Sequence, residues 1–335
     1  MTAITAILGP LSRIVSSFMT IILSIGLMFG WVTGPQTNEP LQFQDSENCK
    51  LSFVALADTH VNTTAFSAYY LESGFKDIAN SGEDFDALVI AGDITEFGDA
   101  PSYDTLWKII DESTMADDAI LLASGNHDIR LAYEEQTKKI MDKTSEYLTN
   151  HSGADFVIDK PYYSYDVNGY TFIVLGSDKW EFEKAIISDE QLAFIDSELE
   201  RATADGKPAF VVCHQPLTDT HGLPEVWENG DLGADSSAVK EVLLGHKNVF
   251  FLNGHLHDGV YERSLEVFDE EAGVYSINLP AYGKDNDYGA HSQVGLGDFV
   301  EVYEDRVVFT ARDFQAGKQL TDSNGDNMTY TFYLK

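Results

Sequence analysis

The chain has 335 residues, 44% of them hydrophobic and 12% aromatic, which suits a sizeable buried core and not a disordered polypeptide. Its formal charge of −34 excludes a nucleic-acid polymer as the main partner, because such binders need a basic footprint. The acidic residues favour solubility in a salty or extracytoplasmic setting, and a generally acidic proteome would give the same balance.

Taken in chain order, the first element is an apolar stretch over Ile14–Val32, diluted only by Ser16, Ser17, Thr20 and Ser24 and preceded by one charged side chain, Arg13. It is longer than the apolar region of a secretory signal and nearer the ~20 residues that span a bilayer. Residues 1–34 therefore read as a retained membrane anchor, with a cleaved signal peptide as the alternative. Either way the domain is expected outside the cytoplasm, with Arg13 inside. Gly26, Gly30 and Gly34 repeat a G-x-x-x-G spacing that would let two helices pack into a weak homodimer. Residues 35–49, with Pro35, Pro40 and polar neighbours, read as a tether, leaving 50–335 as one catalytic domain.

In that domain short apolar runs alternate with helical patterns. Leu51–Ala57, Ala87–Ala91, Ile120–Ala123, Ala209–Cys213 and Val249–Leu252 are continuous apolar runs, the mark of parallel strands buried on both faces. Thr64–Ala79, Ser102–Asp111, Leu131–Asn150, Asp189–Ala204 and Ser236–Leu244 carry apolar residues at three- and four-residue spacing. Asn168-Gly169 between Tyr163–Asp166 and Thr171–Leu175 signals a hairpin. Beyond His257 only strands follow, over Val260–Val267, Val274–Leu279, Phe299–Tyr303, Arg306–Asp313 and Tyr330–Leu334, expected to be antiparallel and to build the second sheet. The fold class is α/β: a four-layer α/β/β/α sandwich of two facing mixed sheets with helices outside. Cys49 and Cys213 stand at opposite ends of such strands, roughly 20 Å apart along a strand of about seven residues, and are expected to be free thiols.

Each of the five apolar runs stops at a residue able to bind a metal. Asp58 and His60 follow the first run, Asp93 the second and Asn126, His127 and Asp128 the third. His214 follows the fourth, and His255 and His257 the fifth. Ligands gather beyond the carboxyl ends of strands in such sheets, so these residues describe one metal site. Two cations held close together repel, and a bridging carboxylate is needed; Asp93 is the natural bridge, one oxygen to each ion. Imidazole and oxygen donors without thiolate suit Mn, Fe, Zn or Ni. Gly92, Gly125 and Gly254 precede ligands where the backbone must turn close to the metals.

Asp58-Thr59-His60, Gly92-Asp93, Gly125-Asn126-His127-Asp128, His214 and Gly254-His255-Leu256-His257 together resemble the calcineurin-like metallophosphoesterases, over Leu51 to Asp313. The opening Asp-x-His and the Gly-Asn-His-Asp block look most like the class III cyclic nucleotide phosphodiesterase branch, and GKPAFVVCHQPL is similar to secreted bacterial members. The resemblance implies that Asp58, His60, Asp93 and His257 surround one ion and that Asp93, Asn126, His214 and His255 surround the other. It implies hydrolysis of a small phosphodiester or phosphomonoester by a metal-bridging hydroxide, with His127 as general acid. Asp128 is expected either to orient His127 through a hydrogen bond or to cap the next helix.

Four other functions compete with this one. A phospholipid or cell-surface polymer phosphodiesterase would use the anchor to meet its substrate, and a non-catalytic scaffold would be expected to have lost ligands. A DNA exonuclease would need a basic groove. A purple acid phosphatase would carry a Tyr ligand where this chain has Ile94, Thr95 and Glu96. His221, His291, Trp227 and Tyr282 are loop candidates for the substrate pocket, against ordinary loop or packing roles.

Overall fold

The computed structural model describes residues 39–220, 231–260, 265–271, 273–287 and 291–335. The expected anchor over 1–34 lies outside them, as do His221 and Trp227. Among the described residues no helix is long and apolar enough to cross a membrane.

The first half of the chain winds β1 (Leu51–Leu56), α1 (Ala65–Ser81), β2 (Ala87–Ala91), α2 (Ala100–Asp111), β3 (Ala119–Ala123), a single-turn α3 (Asn126–Ile129) and α4 (Tyr133–Ser152). A hairpin of β4 (Tyr163–Val167) and β5 (Tyr170–Val174) follows, then α5 (Asp189–Thr203), β6 (Ala209–Val212), α6 (Ser236–Leu244) and β7 (Val249–Asn253). The remaining strands are β8 (Leu265–Asp269), β9 (Val274–Asn278), β10 (Leu296–Val302), β11 (Arg306–Asp313), β12 (Lys318–Gln319) and β13 (Thr329–Tyr333). The hairpin turn is the one that Asn-Gly favours: Asn168 and Gly169 both have positive φ, at 51° and 78°, and Val167 faces Tyr170.

One sheet has the order β12-β11-β10-β1-β2-β3 with β13 also on β11, and the other has β4-β5-β6-β7-β9-β8. β1, β2 and β3 are parallel, as are β5, β6, β7 and β9. The C-terminal strands therefore do not form the second sheet as a block. β8 and β9 complete it, with β9 parallel to β7, while β10 to β13 extend the first sheet antiparallel to β1. Pairing Leu51–Ala55 with Asp298–Val302 covers the edge of β1 that would otherwise stand open beside the core.

The two sheets enclose a core of Phe53, Phe172, Phe210 and Phe250, whose rings meet at 5.0–5.6 Å. α1, α2 and α4 cover the outer face of the first sheet through Leu71, Phe75, Leu106, Ile110 and Ile140. α5 and α6 cover the second through Ile195, Leu199, Val239 and Leu243. The four layers are in place. Parallel strands sandwiched in this way are buried on both faces, which is why they are apolar throughout.

Cys49 and Cys213 are free thiols. The tether differs from expectation, because residues 39–49 lie against the domain. Leu41 is buried, Phe43 packs on Phe85 and Phe299, and Gln44 N–H donates to Glu301 Oε1 at 2.7 Å. Polar composition hid two apolar anchors, Leu41 and Phe43, too few to make a periodic face.

Arg312 on β11 is fully buried and grips Asp77 of α1 with Nε to Oδ2 at 2.7 Å and Nη2 to Oδ1 at 2.9 Å. Nη2 also donates to the Glu39 carbonyl at 2.7 Å, so one guanidinium ties helix, sheet and N-terminal strap. Burial raises the Asp77 carboxyl above its usual range, with Arg312 opposing. Arg312→Met leaves that carboxylate buried without its partner and should lower stability by about 3–5 kcal/mol, read from the urea midpoint. Adding Asp77→Leu should restore most of the loss; an equally unstable double variant would show that the pair is not the cause.

Candidate metal centre

The ligand-type residues meet because backbone pairing continues past the strand ends. Asp58 N–H bonds the Gly92 carbonyl at 3.0 Å, His60 N–H the Asp93 carbonyl at 2.9 Å, and Gly254 N–H the His214 carbonyl at 3.0 Å. The chain then turns each side chain inward through the left-handed region. Asp58, His60, Asp93, His255 and His257 have φ of 53°, 43°, 45°, 73° and 46°, five of the eight positive-φ residues other than glycine among those described. Two glycines make room. A Cβ at Gly125 would lie 2.1 Å from Asp93 Oδ1, and one at Gly254 2.4 Å from Asp58 Oδ2.

Both carboxylates are aimed in the same way. Asp58 Oδ2 accepts His255 N–H at 2.9 Å, which turns Oδ1 toward His257 Nε2 at 3.2 Å and His60 Nε2 at 3.8 Å. Asp93 Oδ1 accepts His127 N–H at 2.8 Å, and Oδ2 lies 3.3 Å from His214 Nε2 and 3.8 Å from His60 Nε2. One oxygen of Asp93, not one for each side, therefore faces both halves of the cluster. Its other oxygen is engaged by the backbone of the loop after β3.

Acceptor faces acceptor across this space. His214 Nδ1 is set to donate to the Ala91 carbonyl at 2.9 Å, which leaves Nε2 with a lone pair if the ring is neutral. That Nε2 stands 3.1 Å from Asn126 Oδ1 and 3.1 Å from His255 Nδ1. Asn126 is held with its oxygen inward because its amide donates to Glu183 Oε2 at 2.7 Å. His60 Nε2 and His257 Nε2 are 3.0 Å apart. Such lone pairs need positive charge between them. Asp58, His60 and His257 form one group able to hold a cation, and Asp93, His214 and His255 another.

Protons substitute poorly for that charge. Burial lowers the His214 imidazole, but Asp93 and Asp58 carry it up to about 10. Burial, and then charge on His214, press its neighbour His255 down to about 3. A site satisfied by protons thus charges one ring of the facing pair at the expense of the other. The donor set fits two cations better.

His127 lies at the edge, partly exposed, with Nδ1 bonded to the Glu96 carbonyl at 2.8 Å and Nε2 3.9 Å from Asp93 Oδ2. Burial lowers its pKa, with Asp93 opposing. Asp128 does not touch this ring, contrary to the orienting role expected of it. Its carboxylate accepts from the backbone of Ile94, Thr95 and Gly125 and from Thr95 Oγ1, at 2.8–3.1 Å. As the third residue of α3 it turns back over the start of its own helix and clamps the loop after β2; the Glu96 carbonyl orients His127 instead.

Two acidic residues not marked by the strand-end pattern belong to the site. Glu96 Oε2 lies 3.2 Å from His60 Nδ1 and 2.6 Å from Lys284 Nζ. Burial would raise Glu96, but His60 and Lys284 bring it to about 2. Glu183 reaches in from the loop after β5. Asp93, Asn126, His127, Phe182, Glu183, His255 and His257 line a cavity of about 360 Å³. The spacing of Glu96 three residues after Asp93 is a usable signal, since a carboxylate behind a ligand histidine is a common support. Nothing in the sequence marks Glu183. Tyr282 is buried beneath α1, its hydroxyl on the Tyr70 carbonyl, and is a core residue, not a pocket wall. His291 bonds the Thr321 carbonyl away from the site.

Comparison with known proteins agrees with the fold and the motifs. The calcineurin-like phosphoesterase family model matches residues 51–259, more than half of the chain. A probable cyclic nucleotide phosphodiesterase of Rhodococcus erythropolis is 28% identical over 211 residues, 61% of this chain and 64% of its own length. One from Fibrobacter succinogenes is 26% identical over 196 residues, 58% of this chain and 66% of its own. The chain thus spans just under two thirds of these relatives. A dimetal phosphatase from Danio rerio shares the fold, with a TM-score of 0.60 and 17% identity over 86% of this chain and all of that one. By the match of its motif-bearing half, the chain belongs to the calcineurin-like phosphoesterase family.

Proposed function

We propose that this protein is a dinuclear metal-dependent phosphoester hydrolase acting on a small phosphodiester or phosphomonoester. The observation that carries the reading is the crowd of potential ligand atoms around Asp93 Oδ2, which two cations would satisfy better than protons. Asp58, His60, Asp93 and His257 would hold one ion, and Asp93, Asn126, His214 and His255 the other. Mn, Fe, Zn or Ni in those positions would supply Lewis acidity and a water nucleophile ionised at neutral pH.

The chain's own groups do the rest. Asn126 presents a neutral oxygen, which limits negative charge at a site that must accept a phosphoryl anion. His127, with Nδ1 tied to the Glu96 carbonyl, turns Nε2 to the cavity, where it can bind the phosphoryl group and give a proton to the departing oxygen. The lowering of its pKa by burial makes it a readier acid once protonated. No expected ligand is missing, which speaks against a scaffold that has lost its chemistry. The names of the bacterial relatives favour a diester. The apolar stretch Ile14–Val32 favours a domain held on the exported side of a membrane.

Purified protein with Mn²⁺ should hydrolyse bis-p-nitrophenyl phosphate and lose that activity in EDTA. Asp93→Ala should lower kcat/KM by about 10³-fold or more and release metal measured by plasma emission; full activity in that variant would sink the reading. His127→Ala should keep both ions and lose about 10²–10³ in kcat, more for poor leaving groups than good ones. An emptied site would make His127 a ligand instead, as its nearness to His60 and Asp93 allows. Gly125→Ala drives a methyl into the Asp93 carboxylate, so it should cost metal affinity while the circular-dichroism spectrum stays that of the folded protein.

A further inference from the structure

The loop between β5 and α5 arrives at the cavity ready-made. Ser177 Oγ accepts Ile186 N–H at 2.9 Å, Asp178 N–H bonds the Ile186 carbonyl at 2.9 Å, and Ile187 N–H bonds Asp235 Oδ2 at 3.0 Å. Gln215 fixes the middle of the loop through the Glu183 carbonyl at 3.0 Å. This pinned loop offers the cavity two unlike neighbours. Glu183 puts a carboxylate on the wall, where its bond to Asn126 holds it beside the candidate metal ligands. Phe182 lines the same cavity yet is 66% exposed, and Trp180 stands edge-on to it at 6.4 Å, itself 45% exposed.

Two further loops also expose apolar side chains. Phe97 and Leu131, 48% and 68% exposed, flank the single side chain of Gln136, which bonds the Gly98 carbonyl at 2.6 Å and Leu131 N–H at 3.0 Å. Tyr133, at the start of α4, donates to the Ser177 carbonyl of the β5–α5 loop at 2.7 Å. At the cavity itself the exposed apolar surface is that of Phe182 with Trp180 against it, and exposed rings at a cavity are of the kind that mark a binding site. No lysine or arginine is among the described residues that line the cavity. Lys284 is taken by Glu96, and among the described residues Glu183 has no lysine or arginine within ion-pair distance.

We infer that Glu183 and Phe182 are the specificity-determining residues of this site. Glu183 opposes the second negative charge of a phosphomonoester, and Phe182, backed by Trp180, covers a flat apolar ester group. The favoured ligand is then a singly charged phosphodiester carrying an aromatic or similarly flat substituent. Selection by repulsion is economical here, because a diester and a monoester present the same phosphoryl oxygens to the metals and differ in charge. The inference rests on the phosphoesterase reading above.

Binding probes separate it from catalysis. Calorimetry on the Mn²⁺-loaded full chain would compare inorganic phosphate at pH 8, a dianion, with diphenyl phosphate, a monoanionic diester. Glu183→Gln keeps an acceptor for the Asn126 amide and should tighten phosphate by about tenfold and diphenyl phosphate by only about threefold, since the repulsion scales with ligand charge. Phe182→Ala, at an exposed position, should weaken diphenyl phosphate by about fivefold and leave phosphate unchanged. Glu183→Ala serves as the second charge-free variant, with metal content measured in each. Equal shifts of both probes, no shift of either, or loss of metal from both Glu183 variants would overturn the inference. Wild-type protein that binds both probes but hydrolyses no ester would instead sink the hydrolase reading.

Discussion

Crowding of lone pairs at Asp93 Oδ2 is the constraint on which the structure turns. A carboxylate oxygen, two imidazole nitrogens and, one step further, an amide oxygen share a volume that neutral rings would leave without a donor. Buried acceptors without donors are costly, and buried like charges more so. The backbone adds to that cost. Five of the residues concerned sit in the left-handed region, where a side chain costs about 1–3 kcal/mol each. A fold keeps such an arrangement only if the surroundings fix it independently.

They are fixed by the sheets. The left-handed turns begin where pairing of β1 with β2 and of β6 with β7 has already set each backbone, and the pairing runs on for a residue or two into the loops. Beneath lies a closed aromatic core of Phe53, Phe172, Phe210 and Phe250, which resists relaxation. The carboxylates are then locked by main-chain donors, Asp58 by His255 N–H and Asp93 by His127 N–H. Each lock joins residues distant in sequence, so neither carboxylate can turn away without breaking a contact made by a different strand. Asp128 belongs to the same scheme. Its carboxylate spends its capacity on four donors in the loops after β2 and β3, although burial and Asp93 push its pKa up to about 7.

What could be read from the sequence follows from which interactions are local. Parallel strands buried on both faces write themselves as unbroken apolar runs, so β1, β2, β3, β6 and β7 were legible, and with them the residues at their ends. Asn168-Gly169 carried its turn in two letters. The partners of the C-terminal strands were not legible, because Leu51–Ala55 pairs with residues some 250 positions away and no pattern in β10 names β1 as its neighbour. Side-chain direction was equally hidden. Asp128 adjoins His127 in sequence, yet a single helical turn points it to the backbone and leaves the ring to a carbonyl from the previous loop. Glu183 lies in a segment with no periodicity, and only the folded loop brings it to Asn126. Leu41 and Phe43 were masked by polar neighbours in a segment that looked like a spacer.

Charge explains why the inner ring is backed by a second one. Asp58 and Asp93 are the carboxylates of the inner cluster, and Asn126 and four histidines add none, so two cations would leave it positive. Glu96 behind His60 and Glu183 behind Asn126 place further carboxylates one bond outward, each on a different side chain of the cluster. A carboxylate behind an imidazole fixes the ring and raises its basicity. The same group behind an amide holds its oxygen inward. The two differ in what opposes them. Glu96 is neutralised by Lys284, which leaves it an orienting role, whereas Glu183 faces the cavity with no ion-pair partner among the described residues. Of the two outer carboxylates, the one without a close cation is the one whose field reaches a ligand in the cavity. The overall acidity of the chain therefore says little about the site, where the position and pairing of individual carboxylates decide the local charge.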